Sequence, residues 1–466
     1  MSTPRRPERR GSGQGQPGAR GRASPARSRR AVRRLAVLPR LPAPRSLDPV
    51  PRVDEPSARL QQLLVALGAS LVGSGLPVSD VVRTLTRVAV SLGAPSAELL
   101  VFPNALIVAV PGQDETRIAL GSSVAGEARF DRTAALLGLV DRASRAEIGV
   151  EDALAELERL ERRPPRFPWW VRMTGHGLSA AAIAVLLHTS LGELAVALLL
   201  GTAVGGLKLL TRAGTISAVL LPVTSAFAVS VVVFFAAAHG WGQNPLVMLV
   251  PALISLLPGS TLAVAIIELA AGDMIAGASR MMSGLLQFAL LAFGIVAGYA
   301  AVGLDSLQAL IVAQSPIGAW SPWVAVLLFA VGNYFYFCGP PRCLPYLIAV
   351  LYVGYAGQVL GNEALGALFG GFLGAMLLTT TSSVVQVLPG APPATVTFLP
   401  AFWVLAPGAA GLIGLTQSAG ADLSPNVGLA AFAGTVLAIG LGVLAGTGVY
   451  RSLYRWAPAR WRLRVP

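Results

Sequence analysis

From about residue 170 onward, the chain is a nearly continuous series of apolar runs separated by short turns of Gly, Pro, Asn and other polar residues. A helix of about 20 apolar residues spans the roughly 30 Å hydrocarbon core of a bilayer. Composition agrees, since 54% of the residues are hydrophobic and only 13% are charged. The sequence therefore predicts an α-helical polytopic membrane protein with ten transmembrane helices, near residues 171–190, 193–210, 215–238, 246–267, 281–302, 321–338, 343–361, 364–387, 395–415 and 427–449.

Basic residues fall on one side of this arrangement. The loops after spans two, four, six and ten contain Lys or Arg, and these residues include Lys208, Arg212, Arg280 and Arg342. The turns after spans one, three, five, seven and nine contain neither. Because positively charged loops face the cytoplasm, we expect a multi-pass protein of the inner (cytoplasmic) membrane with both termini in the cytoplasm.

The chain begins with an arginine-rich tail, residues 1–53. Residues 1–52 contain 14 Arg against Glu8 and Asp48, which supplies +12 of the formal net charge of +13. Its Pro, Gly and Ser residues predict disorder, because such a segment buries too little apolar surface to offset the entropy of ordering. Beside ten spans, the expected partner of this tail, and of the basic residues 451–466, is anionic lipid rather than nucleic acid.

Residues 54–168 have a different pattern, which predicts a small cytoplasmic α+β domain. Helical apolar spacing flanks AELLVFPNALIVAV and ETRIAL, which suggest a strand pair. The domain contains no His and no Cys, which excludes Ser/His and Cys/His catalysis within it. We interpret the carboxylates of this domain as solvated surface groups. The chain's two cysteines, in CGPPRC, are too few for a structural zinc site, so no metal or other cofactor is expected.

One predicted span is interrupted and recurs later in the chain. Residues 251–259 read PALISLLPG, and residues 400–408 read PAFWVLAPG, with both prolines, the alanine, one leucine and the glycine in register. Continued without a gap, this alignment places Glu268 over Gln417 and Asp273 over Asp422. Five predicted spans separate the two copies, so the second copy crosses the membrane in the opposite sense.

Paired, Pro/Gly-broken segments in inverted halves are typical of a secondary transporter's binding site. The sequence therefore predicts two inverted five-helix repeats, residues 169–303 and 304–450, with Pro258, Gly259, Pro407 and Gly408 at the substrate site. The alternative is that both segments are ordinary proline kinks, which are common in membrane helices.

The break itself suggests how a substrate binds. Pro258 and Gly259 would end one half-helix while Ser260 or Thr261 caps the next, whose N-terminus favours a carboxylate. Glu268, with Asp273 nearby, is the candidate for proton coupling, since a carboxyl in an apolar setting can take up and release a proton. Alternatively, Glu268 and Asp273 merely flank the cytoplasmic interface near Arg280.

These residues resemble the threonine/serine exporter family. The likeness rests on LLVALGASLVGSGLPVSDVVRTLTRVAVSLG, LLPGSTLAVAIIELAAGDMIAGASRM and FLPAFWVLAPG, and it covers roughly residues 58–450 in order. The resemblance implies a hydrophilic amino-terminal domain followed by two five-span halves. It also implies export of L-threonine and L-serine driven by the proton motive force, with a small amino acid and protons as partners and no enzymatic activity.

Two other functions stay open beside amino-acid export. One is efflux of a dicarboxylate, although the scarcity of basic residues in the predicted spans disfavours a dianion. The other is a membrane-tethered sensor or hydrolase, which would not need an inverted, broken repeat. The sequence also leaves open whether the chain forms a homo-oligomer.

Overall fold

A computed structural model of the protein describes residues 55–111, 116–123, 129–187, 190–211, 214–241, 245–303, 318, 320–388, 390–405 and 426–456. The predictions for the tail 1–53, for residues 457–466, and for Pro407, Gly408, Gln417 and Asp422 lie outside these residues. The chain from Asp54 onward forms one compact unit.

Residues 55–162, which we call the amino-terminal segment, contain four helices and three strands. These are α1 (Glu55–Gly73), α2 (Val78–Ser91), β1 (Glu98–Val101), β2 (Ala105–Pro111), β3 (Thr116–Ser122), α3 (Phe130–Ser144) and α4 (Val150–Arg162). The sheet is antiparallel in the order β1-β2-β3, with Ile107 of β2 opposite both Leu100 and Leu120. The predicted strand pair is thus a three-stranded sheet, because the long apolar strand β2 pairs along both edges. Its buried face packs against α1.

The remaining helices are apolar and lie after residue 168. They are α5 (Trp169–Leu186), α6 (Leu191–Leu210), α7 (Ile216–Ala238), α8 (Pro245–Leu253), α9 (Gly259–Ala271), α10 (Met274–Val302), α11 (Ser321–Tyr336), α12 (Cys343–Leu365), α13 (Ala367–Val385), α14 (Ala394–Val404) and α15 (Asn426–Trp456). A short 3₁₀ turn, Ile254–Leu256, follows α8.

Six of these helices, within the described ranges, are long and apolar enough to cross a membrane, and a bent pair formed by α8 and α9 would make seven. The six are α6, α7, α10, α12, α13 and residues 433–455 of α15. Only 28–44% of their residues are buried, and outward-facing side chains such as Leu210 and Phe293 are 83% and 68% exposed. Apolar surfaces of this extent need a lipid environment, so the chain is a multi-pass membrane protein.

The count of ten spans is therefore higher than the structure supports. Helix α11 has only 16 residues, a length of about 24 Å. Helix α5 contains Arg172 and His176 and is rich in Gly and Ala, which lowers its hydropathy, and much of it is buried among other helices. The span predicted near 395–415 is helical up to Val404 and then continues outside the described residues.

The helices recur along the chain at a nearly constant spacing. Helices α11, α12, α13, α14 and α15 begin 152, 152, 151, 149 and 152 residues after α5, α6, α7, α8 and α10. Their packing recurs too, because α7 packs against α8 and α10 as α13 packs against α14 and α15. The similarity between the two proline motifs thus extends to the helices around them.

Glycines bring two of these helix pairs into backbone contact. Each glycine faces a carbonyl oxygen of the neighbouring helix, in the pairs Gly294 with Val223, Gly298 with Phe227, Gly442 with Phe372 and Gly446 with Met376. A Cβ atom at Gly294 or Gly446 would lie 2.5 Å from the facing oxygen. Only glycine permits these contacts, which are the same for α10 on α7 as for α15 on α13.

Candidate functional site

The interrupted span is a bent helix. Residues 248–256 and 259–271 form its two parts, which meet at an angle of 49°. Pro258 lies at the bend, where it has no N–H to continue the helical hydrogen bonds. The bend frees backbone carbonyls in the membrane region, and side chains of neighbouring helices bind them. Lys208 Nζ donates to the carbonyl oxygen of Ser255 at 3.3 Å, and Gln287 Nε2 donates to that of Leu256 at 2.6 Å.

The second part, α9, begins two or three residues earlier than predicted. Its N-cap is Pro258, no side chain caps it, and Gly259 is its first helical residue. The prediction that Ser260 or Thr261 caps this helix is therefore wrong, because both already lie within the first turn. Their position still places them beside the free N–H groups of the helix N-terminus.

A cavity of about 230 Å³ lies at this N-terminus. Its polar side chains are Lys208 of α6, Ser260 and Thr261 of α9, and Arg280 of α10. Its apolar walls come from Val264, Phe337, Leu399 and Trp403, and the amino-terminal segment adds Pro103 and Val72–Gly75. This volume is below the roughly 300–1,000 Å³ typical of pockets for drug-sized ligands, so it suits a small metabolite.

Part of the second proline motif reaches the same cavity. Leu399 and Trp403 belong to α14, which contains Pro400, the counterpart of Pro251 in α8. The structure thus brings the start of the second motif to the break in the first. Pro407 and Gly408, the predicted counterparts of Pro258 and Gly259, lie outside the described residues.

Two cations give the cavity its electrostatic character. Lys208 Nζ lies 5.4 Å from the centre of the Tyr336 ring, which stabilises the ammonium by a cation–π contact. Arg280 is neutralised by Glu268, whose carboxylate lies 3.1 Å from its Nε atom. Lys208, Arg280 and Glu268 together carry a net charge of +1. This charge, added to the helix N-terminus, suits one carboxylate group.

Glu268 is fully buried and does not line the cavity itself. Its Oε1 atom accepts hydrogen bonds from Arg280 Nε at 3.1 Å and from the backbone N–H of Val78 at 3.0 Å. Arg280 also donates through Nη2 to the carbonyl of Leu76 at 3.3 Å. Glu268 thus pairs with Arg280 and binds the start of α2.

Asp273 is separate from this pair. It lies at the N-cap of α10, where its side chain makes no capping hydrogen bond, and its N–H donates to the Glu268 carbonyl at 2.9 Å. The left-handed residue Gly272, with φ of +90°, makes the turn between α9 and α10. The two predicted coupling residues are therefore adjacent, but only Glu268 contacts a cavity-lining side chain.

A buried histidine supports the bend from the other side. His176 of α5 contacts the Gly201 carbonyl through Nδ1 and the Ser255 hydroxyl through Nε2, each at 2.6 Å. Because a carbonyl can only accept, Nδ1 carries a proton. His176 and Lys208 therefore both hold Ser255, one through its side chain and the other through its backbone.

Sequence reasoning missed three of these residues. It assigned Lys208 and Arg280 to loops, whereas both lie inside helices. Lys208 is the chain's only lysine, and a single lysine within an apolar run is a signal that could have identified it. His176, a lone histidine in an apolar run, carried a similar signal.

A comparison with protein families finds a match that covers about half of the chain. The family model "Putative threonine/serine exporter" (ThrE) matches residues 62–302, which are 241 of the chain's 466 residues. The chain belongs to this family. Members are transporters rather than enzymes, which confirms the predicted family and the predicted lack of enzymatic activity. No curated protein and no solved structure matches the chain.

The matched residues contain most of the site. His176, Lys208, Ser260, Glu268 and Arg280 all fall within 62–302, as does the α1–α2 connection. Leu399 and Trp403 fall outside it. Membership in a transporter family also argues against the membrane-tethered hydrolase.

Proposed function

We propose that this protein exports small amino acids, L-threonine and L-serine, and that the proton motive force drives the export. The observation that carries the proposal is the cavity at the α9 N-terminus, where Lys208 and Arg280 meet Ser260 and Thr261. The substrate's carboxylate binds the two cations and the first turn of α9. Family membership supports the choice of substrate.

The buried ion pair explains how a zwitterion binds. Glu268 and Arg280 carry opposite charges 3.1 Å apart, so an amino acid that enters between them gives its carboxylate to Arg280 and its ammonium to Glu268. The exchange preserves charge balance in a buried setting, where an unpaired charge is costly. It requires Arg280 to leave Glu268, because Arg280 and not Glu268 lines the cavity.

The same carboxyl couples transport to protons. A protonated Glu268 cannot bind the ammonium, so the proton and the substrate compete for one group, as an antiporter requires. Asp273, whose backbone N–H donates to the Glu268 carbonyl, adds a negative charge near Glu268. It is the second candidate for the residue that carries the proton. Proton uptake from outside and substrate release to outside are then alternative states of one site.

Transport by reconstituted protein with and without an imposed pH gradient tests this proposal. The unmodified protein is expected to concentrate labelled threonine against its gradient when the pH gradient is present. Glu268→Gln keeps the shape of the side chain but cannot exchange a proton, so only movement down the threonine gradient should remain. Accumulation by Glu268→Gln equal to that of the unmodified protein would exclude Glu268 as the proton site.

Dicarboxylate efflux is the second candidate, and Lys208 with Arg280 favours it, since two cations can bind two carboxylates. The pairing of Arg280 with Glu268 reduces the net charge to +1, which favours the amino acid. Succinate has no ammonium for Glu268 to bind. Efflux of labelled threonine, serine and succinate from the same vesicles separates the two functions.

The arrangement in the membrane is also a proposal. Two five-helix halves in inverted orientation in the inner (cytoplasmic) membrane, with both termini in the cytoplasm, agree with the recurring helices and with the distribution of Lys and Arg along the chain. This arrangement counts α5, α11 and the α14 region as spans. The basic residues 1–53 and 451–466 would then contact anionic lipids.

A further inference from the structure

The amino-terminal segment contributes directly to the candidate site. Four consecutive residues at the end of α1 and in the α1–α2 connection, Val72–Gly75, line the cavity, as does Pro103 of the β1–β2 turn. The facing wall is the N-terminus of α9. The connection between α1 and α2, residues 74–77, therefore lies across one side of the cavity.

Two hydrogen bonds hold this connection in place. The Val78 N–H donates to Glu268 Oε1 at 3.0 Å, and the Leu76 carbonyl accepts from Arg280 Nη2 at 3.3 Å. The connection is thus bound at its end by the same ion pair that borders the cavity. Gly75, with φ of +83°, has a left-handed conformation that favours glycine and shapes the turn.

We propose that the α1–α2 connection is a gate, and that the amino-terminal segment opens and closes one side of the substrate cavity. The proposal rests on the proposed function, in which a substrate draws Arg280 and Glu268 away from each other. The hydrogen bonds to Leu76 and Val78 then lose their partners, and the connection is released. Binding at the site and movement of the gate are linked through one ion pair.

The gate can be tested by the reaction of an introduced thiol, Ser74→Cys, with a charged thiol reagent in the full-length protein. We expect the reaction to be severalfold faster when Glu268→Ala or Arg280→Met removes the contacts that hold the connection. Equal rates in all three backgrounds would overturn the gate. This measurement does not depend on threonine transport. A failure of the gate can therefore be distinguished from a failure of the proposed transport function in the unmodified protein.

The matched control is Ser57→Cys, which lines a separate cavity of about 540 Å³ within the amino-terminal segment. Modification of Ser74→Cys should block threonine efflux, while modification of Ser57→Cys should leave it. If both modifications block efflux equally, the effect is not specific to the connection, and the gate is refuted. The native Cys338 and Cys343 are buried, so the unmodified protein supplies a low background.

Discussion

Replacement of Lys208 by Met is expected to weaken substrate binding more than any other single change in the cavity. The substitution keeps most of the side-chain stem but removes the ammonium, which supplies the net charge of +1 left by the Arg280–Glu268 pair. A hydrogen bond to a charged group contributes about 1.5–3 kcal/mol. At about 1.4 kcal/mol for each factor of ten, binding should weaken by roughly 10- to 150-fold.

The assay is the concentration dependence of threonine efflux from vesicles that contain equal amounts of inserted protein. Lys208→Arg should retain most of the affinity, because it keeps the charge. Arg162→Met is the matched control, since it also replaces a cation by Met, but at a side chain that is 83% exposed in the amino-terminal segment. A KM for Lys208→Met within twofold of the unmodified protein would refute the carboxylate site.

The chain's only lysine offers a second test of the proposal that the substrate carboxylate binds at Lys208. An amine-specific reagent can react only with Lys208 and with the chain's α-amino group. Threonine should slow the reaction at Lys208 and leave the reaction at the amino terminus unchanged. Equal rates at Lys208 with and without saturating threonine would contradict a substrate at this position.

Three further outcomes are expected. Ser260→Ala should raise KM by about 2- to 10-fold, the effect of one neutral hydrogen bond, without lowering the melting temperature, because Ser260 does not cap α9. Deletion of residues 1–52 should leave efflux nearly intact in normally inserted protein, since a basic tail adds lipid attraction rather than site geometry; complete loss would contradict this. Gly446→Val should destabilise the protein by about 1–3 kcal/mol in thermal unfolding, because a Cβ at this position meets the Met376 carbonyl. Gly448→Val is the control and should not destabilise the protein, because a Cβ there meets nothing within 4 Å.

The break in the first motif could be predicted from sequence because its cause is local. Pro258 cannot donate a backbone hydrogen bond, and Gly259 follows it directly, so the helix has to end and restart there. The structure places Ser260 and Thr261 beside the cavity. The predicted cap was misplaced by two or three residues, since the start of a helix depends on packing as well as on local preference.

The charged residues of the site were harder to place. Arg280 lies in the second turn of α10, which begins at Met274 rather than near residue 281. Its charge is tolerated inside an apolar helix because Glu268 neutralises it, and a pairing between residues on different helices is invisible in one sequence. The contact of Glu268 with Val78 is harder still, because it joins residues 190 positions apart.

The count of ten spans is not confirmed, because three of the predicted spans correspond to helices that are short, weakly apolar or only partly described. Helix α5 needs little hydropathy, because much of its surface contacts other helices rather than lipid. Hydropathy indicates how well a helix surface suits contact with lipid. It is therefore a poor criterion for a membrane helix that is surrounded by other helices. The recurrence of helix starts, by contrast, follows from the chain alone once two similar motifs are aligned.

The glycine contacts of α10 on α7 and of α15 on α13 have a mechanical consequence. Helices whose backbones are in direct contact cannot slide past each other without a steric clash, so each pair behaves as a rigid unit. The bend between α8 and α9, by contrast, is held by single side-chain hydrogen bonds that involve His176, Lys208 and Gln287, which can break one at a time. Conformational change is therefore expected to concentrate at the bend between α8 and α9, while α7 with α10 and α13 with α15 each move as a rigid unit.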